Sequence, residues 1–94
     1  MQIGTFVVVR TFSAGVHCGI LAAQDGKNVT LTGARRIWRW RGANTLNELA
    51  LNGAAKEYSR ISEPVAQLDL SEAIEVIGTT SEARDNLQQS RWGE

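Results

Sequence analysis

The residue types best suited to chemistry are concentrated in Ala34-Arg35-Arg36-Ile37-Trp38-Arg39-Trp40-Arg41-Gly42. Four of the ten basic residues and two of the three tryptophans fall within seven positions there. Read as an extended strand, the segment sends Arg36, Trp38 and Trp40 one way and Arg35, Ile37, Arg39 and Arg41 the other. One face is then aromatic and the other cationic. Aromatic planes can take a nucleobase, and guanidinium forks match phosphate geometry, so the segment suits an anion or nucleotide site. The alternative is structural: Trp38 and Trp40 belong to the core, and the arginines form a solvated face over packed stems.

Reaction chemistry finds little support elsewhere in the chain. His17 and Cys18 are adjacent, so on a strand they face opposite ways and cannot act as nucleophile and base. Glu72 and Glu75 would project to opposite faces of a strand, which argues against an acid and base pair. No nucleophile elbow, phosphate-binding Walker loop or His-Glu-x-x-His motif is present. One His and one Cys cannot complete a four-ligand zinc site of the usual kind, and Cys18 cannot form an internal disulfide. The expectation is a binding protein, not an enzyme, with no cofactor or metal.

Residues 1–94 are expected to form a single small domain, and chains of this size often gain stability by oligomerising. Lys and Arg total ten against ten Asp and Glu, so no global field exists to hold duplex DNA. The charge is unevenly placed: residues 35–41 carry four arginines and no acid, while residues 63–94 carry seven acids and two arginines. A local site for a small anion is compatible with that distribution. No apolar run of about 18 residues and no basic-then-apolar leader pattern occurs, so neither membrane insertion nor export is expected.

The elements that must position these residues follow from local pattern. Ile3–Arg10 is rich in β-branched residues and predicts a strand covered on both sides. Thr11–Gly15 breaks it, and Val16–Ala23 predicts the return strand of a hairpin. Asp25-Gly26-Lys27 is a tight-turn signal, after which Val29 and Leu31 alternate with Thr30 and Thr32. Gly33 allows a bend before the arginine and tryptophan segment, so residues 3–41 read as a meander of about four strands. Thr45-Leu46-Asn47-Glu48 has capping-box spacing, and Gly53 supplies a helix stop. Ala54–Glu63 is a polar connection, and Val65–Leu70 and Ala73–Gly78 are strands. Thr79-Thr80-Ser81-Glu82 repeats the capping-box spacing and opens a helix to about Ser90, with a thin apolar face of Ala83 and Leu87. The predicted fold is α+β: a small antiparallel sheet with two short helices, in an oligomer.

Four motifs carry a resemblance to a known family: residues 9–19 (VRTFSAGVHCG), 34–43 (ARRIWRWRGA), 45–50 (TLNELA) and 72–77 (EAIEVI). Together they resemble the small phage-encoded anti-Thoeris proteins of the first described type, which act as sponges for a signalling nucleotide. The resemblance implies a protein in the cytoplasm of an infected bacterium that binds a cyclic ADP-ribose isomer intact and so inhibits Thoeris immunity. Some members also hold cyclic di- or trinucleotides of the CBASS pathway in a larger assembly. A homo-oligomer is implied, either a dimer or a dimer-based hexamer.

For such a ligand, Arg10 and Arg91 are candidates for phosphate or base-face contacts, Phe12 for stacking, and Ser13 or His17 for hydrogen bonding. Arg91 is expected in the C-terminal helix, where its use would complete a pocket across a dimer interface. Arg36 and Arg39, on opposite faces of one strand, are candidates for a further phosphate site. Phe12 as a core cap and His17 as a structural histidine are the competing readings. The competing function is a phage protein that inhibits a host protein directly through its Trp and Arg face, since these residues dominate protein interfaces.

Overall fold

A computed structural model describes residues 1–92 of the chain. It is a small α+β fold of six antiparallel strands and two helices, as the sequence pattern predicts. Strand β1 (Phe6–Thr11) pairs with β2 (Val16–Asp25), and β2 with β3 (Asn28–Arg39). The tight turn Gly26-Lys27 joins the last two. Gly26 has φ 60° and Lys27 no positive φ, which matches a type II′ hairpin turn and its demand for Gly at the first central position.

Three strands, not four, occupy this part of the chain. Gly33 has φ 57° but does not end the strand; β3 runs through it for 12 residues because β2 pairs with it on both sides of that position. Register shifts between Cys18 and Ile20, and between Leu21 and Ala23, bend the long β2–β3 hairpin instead. Its tip comes back toward β6 (Ala73–Gly78), where the Ala73 amide donates to Lys27 O at 3.1 Å.

Strand β4 (Arg60–Ile61) lies inside what the sequence reads as a polar connection, and β5 (Val65–Leu70) follows it along the same edge of β3. On the far edge, β6 pairs with β1. In a flat sheet the strands β5 and β6 would stand about four strand spacings apart, on the order of 19 Å. The link Ser71-Glu72 spans at most about 11 Å between flanking Cα atoms, so the sheet has to curl. The inside of the curl holds Val7, Val9, Leu21, Val29, Leu31, Ala34, Leu70 and Ala73.

The outer face packs against both helices. Phe6, Val8, Cys18, Ile37 and Ile61 meet Leu49 and Ala50 of α1 (Leu46–Asn52) and Leu87 of α2 (Ser81–Gln89). Thr45 caps α1 by accepting from the Glu48 amide at 3.2 Å, and Gly53 ends it with φ 79°. The N-cap of α2 is Thr80, which accepts from the Ala83 amide at 3.0 Å. Thr79, the cap suggested by spacing, instead donates its hydroxyl to Phe6 O at 2.8 Å. The thin apolar face of α2 suffices because Asn86 ties the helices together: its side-chain amide exchanges hydrogen bonds of 2.9 and 3.0 Å with the Ala54 backbone. No helix among the described residues is long and apolar enough to cross a membrane.

Candidate functional site

The arginine and tryptophan segment divides by burial in a way that simple alternation does not reproduce. Arg35 is only 7% exposed, lying on the helix-facing side of β3 with Ile37. Its Nη1 donates to Leu87 O at 2.8 Å and Gln88 O at 2.9 Å, its Nη2 to Ser90 O, and its Nε to Ser62 O at 2.7 Å. These carbonyls include the orphan acceptors at the C-terminus of α2, where a cation also complements the helix dipole. Burial draws the Arg35 pKa down, with the like charge of Arg91 adding to that and Cys18 and Glu63 opposing it. Arg35 is therefore a structural clasp, with four of its five N–H donors engaged by backbone carbonyls.

A register shift between Ile37 and Arg39 interrupts the alternation. Trp40 consequently packs on the helix-facing core, while Trp38 stays 62% exposed. Trp38 stacks on Trp92 with ring centroids 5.4 Å apart and planes at 16°. The Arg60 guanidinium lies over Trp92 at 5.3 Å, and Arg41 lies over the exposed Tyr58 ring at 5.5 Å. Arg60 pairs with Arg39 in the ladder and bridges to Trp92. Among the described residues, no carboxylate lies within 4 Å of Arg36, Arg39, Arg41 or Arg60. The result is a cationic surface with aromatic planes, suited to phosphate and ring contacts.

The other candidates gather at the end of the sheet that carries the β1–β2 loop, but at separate points. Phe12 is 77% exposed and does not cap the core. Ser13 donates to Glu72 Oε1 at 2.5 Å, and Thr11 closes the loop by donating to Gly15 O and accepting from the Ala14 amide, both at 2.8 Å. Arg10 faces Glu75 across the β1–β6 ladder, 3.7 Å away. Arg91 lies beyond α2, which ends at Gln89 with Ser90 as its cap, so it is not a helical residue as its position in the sequence suggests. With Lys56, Asn86, Gln89 and Ser90 it lines a hollow of about 230 Å³.

His17 is fully buried and pairs across the sheet with Val9 and Arg36, which places it on the inner face of the curl. Its Nε2 lies 2.9 Å from Ala14 O. A carbonyl only accepts, so Nε2 carries the proton. Burial lowers the His17 pKa, the Ala14 carbonyl opposes that and the Arg36 charge adds to it, so the ring is neutral at pH 7. Cys18 faces the other core, and burial pushes its thiol up to about 12, only partly offset by Arg35.

A family model described as "Domain of unknown function (DUF6948)" matches residues 4–87. The chain belongs to the DUF6948 family. The match takes in all six strands, α1 and most of α2. No curated protein and no solved structure matches the chain.

Sequence reasoning missed Arg60, Tyr58 and Trp92 as parts of the cationic surface. Arg60 and Tyr58 lie in a stretch that reads as a polar connection, and only the return of that stretch along β3 brings them beside Arg39 and Arg41. Glu63 and Ser62 were missed for the same reason. Pro64, the single proline, marks the point where that edge strand is interrupted between β4 and β5.

Proposed function

We propose that this DUF6948 protein binds and sequesters a cyclic ADP-ribose isomer without cleaving it, as a phage anti-defence protein acting against Thoeris immunity in the cytoplasm of the infected bacterium. The observation that carries the reading is the exposed Trp38–Trp92 stack with the Arg60 guanidinium over it, Arg39 opposite Arg60 in the ladder, and Arg41 over Tyr58. It joins several guanidinium forks, free of carboxylate partners among the described residues, to aromatic planes. A ligand with a pyrophosphate and a purine uses both features at once. The sequence motifs at residues 9–19, 34–43, 45–50 and 72–77 give the same direction through their resemblance to the anti-Thoeris sponges.

In this reading Arg36 and Arg39 take phosphate oxygens, and Phe12, which projects from the β1–β2 loop, supplies a further stacking surface. Arg10 and Ser13 are engaged by Glu75 and Glu72 in the free chain, so their use requires exchange of those partners for ligand oxygens. Arg91 and the adjacent Trp92 complete the site in a homo-oligomer, a dimer or a dimer-based hexamer, which also offers room for cyclic di- or trinucleotides. A sponge that competes with a sensor needs nanomolar affinity, about −12 kcal/mol.

Isothermal calorimetry with cyclic ADP-ribose isomers and cyclic trinucleotides, followed by heat release and mass analysis of the ligand, tests the proposal. Intact ligand recovered after tight binding is the expected result; no binding, or recovery of a cleaved product, overturns it. The exposed Trp38 and Trp92 favour one other reading, direct inhibition of a host protein. That reading gains if nucleotide-free protein forms a stoichiometric complex with a host protein and Trp38→Ala abolishes it.

A further inference from the structure

The β3–β4 edge carries two aromatic platforms, and the pattern of burial turns both toward solvent. On one chain Ile37 is buried and Trp40 packs on the helix-facing core, while Trp38, Arg39 and Arg41 are exposed. On the other, Ser59 and Ile61 are buried, which turns Tyr58 and Arg60 outward. Arg39 stands opposite Arg60 in the ladder, and two residues further along each chain the Arg41 guanidinium lies over the Tyr58 ring at 5.5 Å. Trp38 stays 62% exposed although Trp92 is stacked on it, so the other face of its ring is open. Tyr58 is 55% exposed beneath Arg41.

Tyr58 is held against its own backbone preference. Its φ is 67°, and it is the one residue other than glycine with a positive φ among the described residues. Its neighbours impose that conformation: the buried Ser59 accepts through Oγ from the Arg41 amide at 3.1 Å, and Arg41 O accepts from the Ala55 amide at 2.8 Å. Glycine or asparagine would make the same turn with less strain. The ring belongs to neither apolar core, so packing does not account for a tyrosine here. Strain of this kind is characteristic of residues that hold a ligand.

We infer that this face binds a short single strand of nucleic acid, with one base on the open face of Trp38, the next on Tyr58, and the phosphate between them on Arg39. The ring, cation, ring order along the edge matches the base, phosphate, base order of a strand. Trp38 and Arg41 are three residues apart, at most about 10 Å, whereas stacked neighbouring bases are about 3.4 Å apart. The two bases therefore leave each other's stack and lie on protein rings instead. Platforms more than half exposed suit a strand running along the surface, where a small molecule would need enclosing walls. The site goes beyond the signal-binding reading, because a cyclic ADP-ribose isomer has one purine and occupies one platform. With a net charge of zero the chain has no long-range field, so stacking carries the affinity and the salt dependence is shallow, about 0.7 in log–log slope per phosphate held.

Calorimetric titration of the full chain with adenylate, with the phosphorylated adenine dinucleotide in ribo and deoxyribo form, and with cyclic ADP-ribose isomers is the direct test. Both dinucleotides are expected to bind at least about tenfold more tightly than the mononucleotide, because a second base gains its own platform. Tyr58→Asn removes the ring and keeps a residue that tolerates the left-handed turn, so the fold is retained. It should lower dinucleotide affinity about tenfold and leave adenylate binding unchanged, whereas Trp38→Ala should weaken both. Equal affinity for mononucleotide and dinucleotide, or full dinucleotide affinity in Tyr58→Asn, overturns the inference; tight binding of a cyclic isomer in the same series then leaves the signal reading standing. If the dinucleotide binds through Tyr58 and no isomer binds, the signal reading fails and the strand site holds. A stoichiometric protein complex that Tyr58→Asn abolishes, with no nucleotide bound, assigns the face to a protein partner and also overturns the inference.

Discussion

Arg35 Nη1 donates to Leu87 O at 2.8 Å, tying the centre of the longest strand to the last turn of the C-terminal helix. The sequence separation is 52 residues, so this single guanidinium fastens an element that arrives late in the chain to one formed early. Its further bonds to Gln88, Ser90 and Ser62 extend the clasp to the edge strand. Replacement by Met strands these carbonyls, and the expected cost is about 2–4 kcal/mol. Arg35→Lys should recover only part of that, because an ammonium cannot reproduce the planar fork. Urea unfolding measures both; a Met variant within about 0.5 kcal/mol of wild type contradicts the clasp.

Gly53 couples the two helices. Its φ is 79°, and a Cβ there would run into the Asn86 side chain that bonds the Ala54 backbone. Gly53→Ala is expected to cost about 2–4 kcal/mol, from the left-handed conformation and the displaced amide together. In an Asn86→Ala background the same change should cost clearly less. A double-mutant cycle reads this directly, and strict additivity would falsify the coupling.

His17 gives stability a defined pH dependence. Its folded-state pKa is lowered from 6.5 by burial, so the unfolded chain binds the proton more readily. The contribution is complete above about pH 6.5 and declines as pH falls from there toward the lowered value, with a slope of at most about 1.4 kcal/mol per pH unit. Thermal melts from pH 7.5 to 5 should therefore drop more steeply for wild type than for His17→Gln. Parallel curves would place the acid sensitivity on the carboxylates alone.

Cys18 is expected to be inert in the folded protein. Burial raises its pKa to about 12 from 9.0, so almost no thiolate exists at pH 8. A thiol-specific disulfide reagent should react at a rate set by unfolding and accelerate sharply in denaturant. Since the unfolded thiol ionises first, this group's stabilising contribution is present below about pH 9 and is lost progressively as pH rises toward 12. Rapid labelling of native protein at pH 7 would show that the site opens locally.

The Trp38–Trp92 stack is an exposed contact, and its removal should matter more for binding than for folding. Trp38→Ala is expected to destabilise by about 0.5–1.5 kcal/mol. Under the nucleotide reading it should also lower ligand affinity, measured by calorimetry on the same variant. Unchanged affinity would confine the stack to a structural role.

Local chemistry in the chain by itself determined much of the scaffold. The β-branched run of β1, the Gly26-Lys27 turn, the Thr45 cap, the Gly53 stop and the β5 and β6 strands all depend on propensity and short-range hydrogen bonding, which neighbouring residues settle. The same is true of the concentration of arginine and tryptophan near residue 38. What tertiary structure decided is how those side chains are used. Arg35 and Arg36 are adjacent in sequence, yet one is buried under α2 and the other opens on a cavity, because β3 has a helix layer on one face and the curled sheet on the other. Trp38 and Trp40 share a side in an ideal strand, but a register shift sends one to the core and leaves the other against Trp92. His17 becomes buried only when the β1–β2 loop returns Ala14 O to its Nε2 and β1 and β3 pair on either side of it. Each outcome depends on contacts between distant segments, and their geometry is set by packing rather than by spacing along the chain.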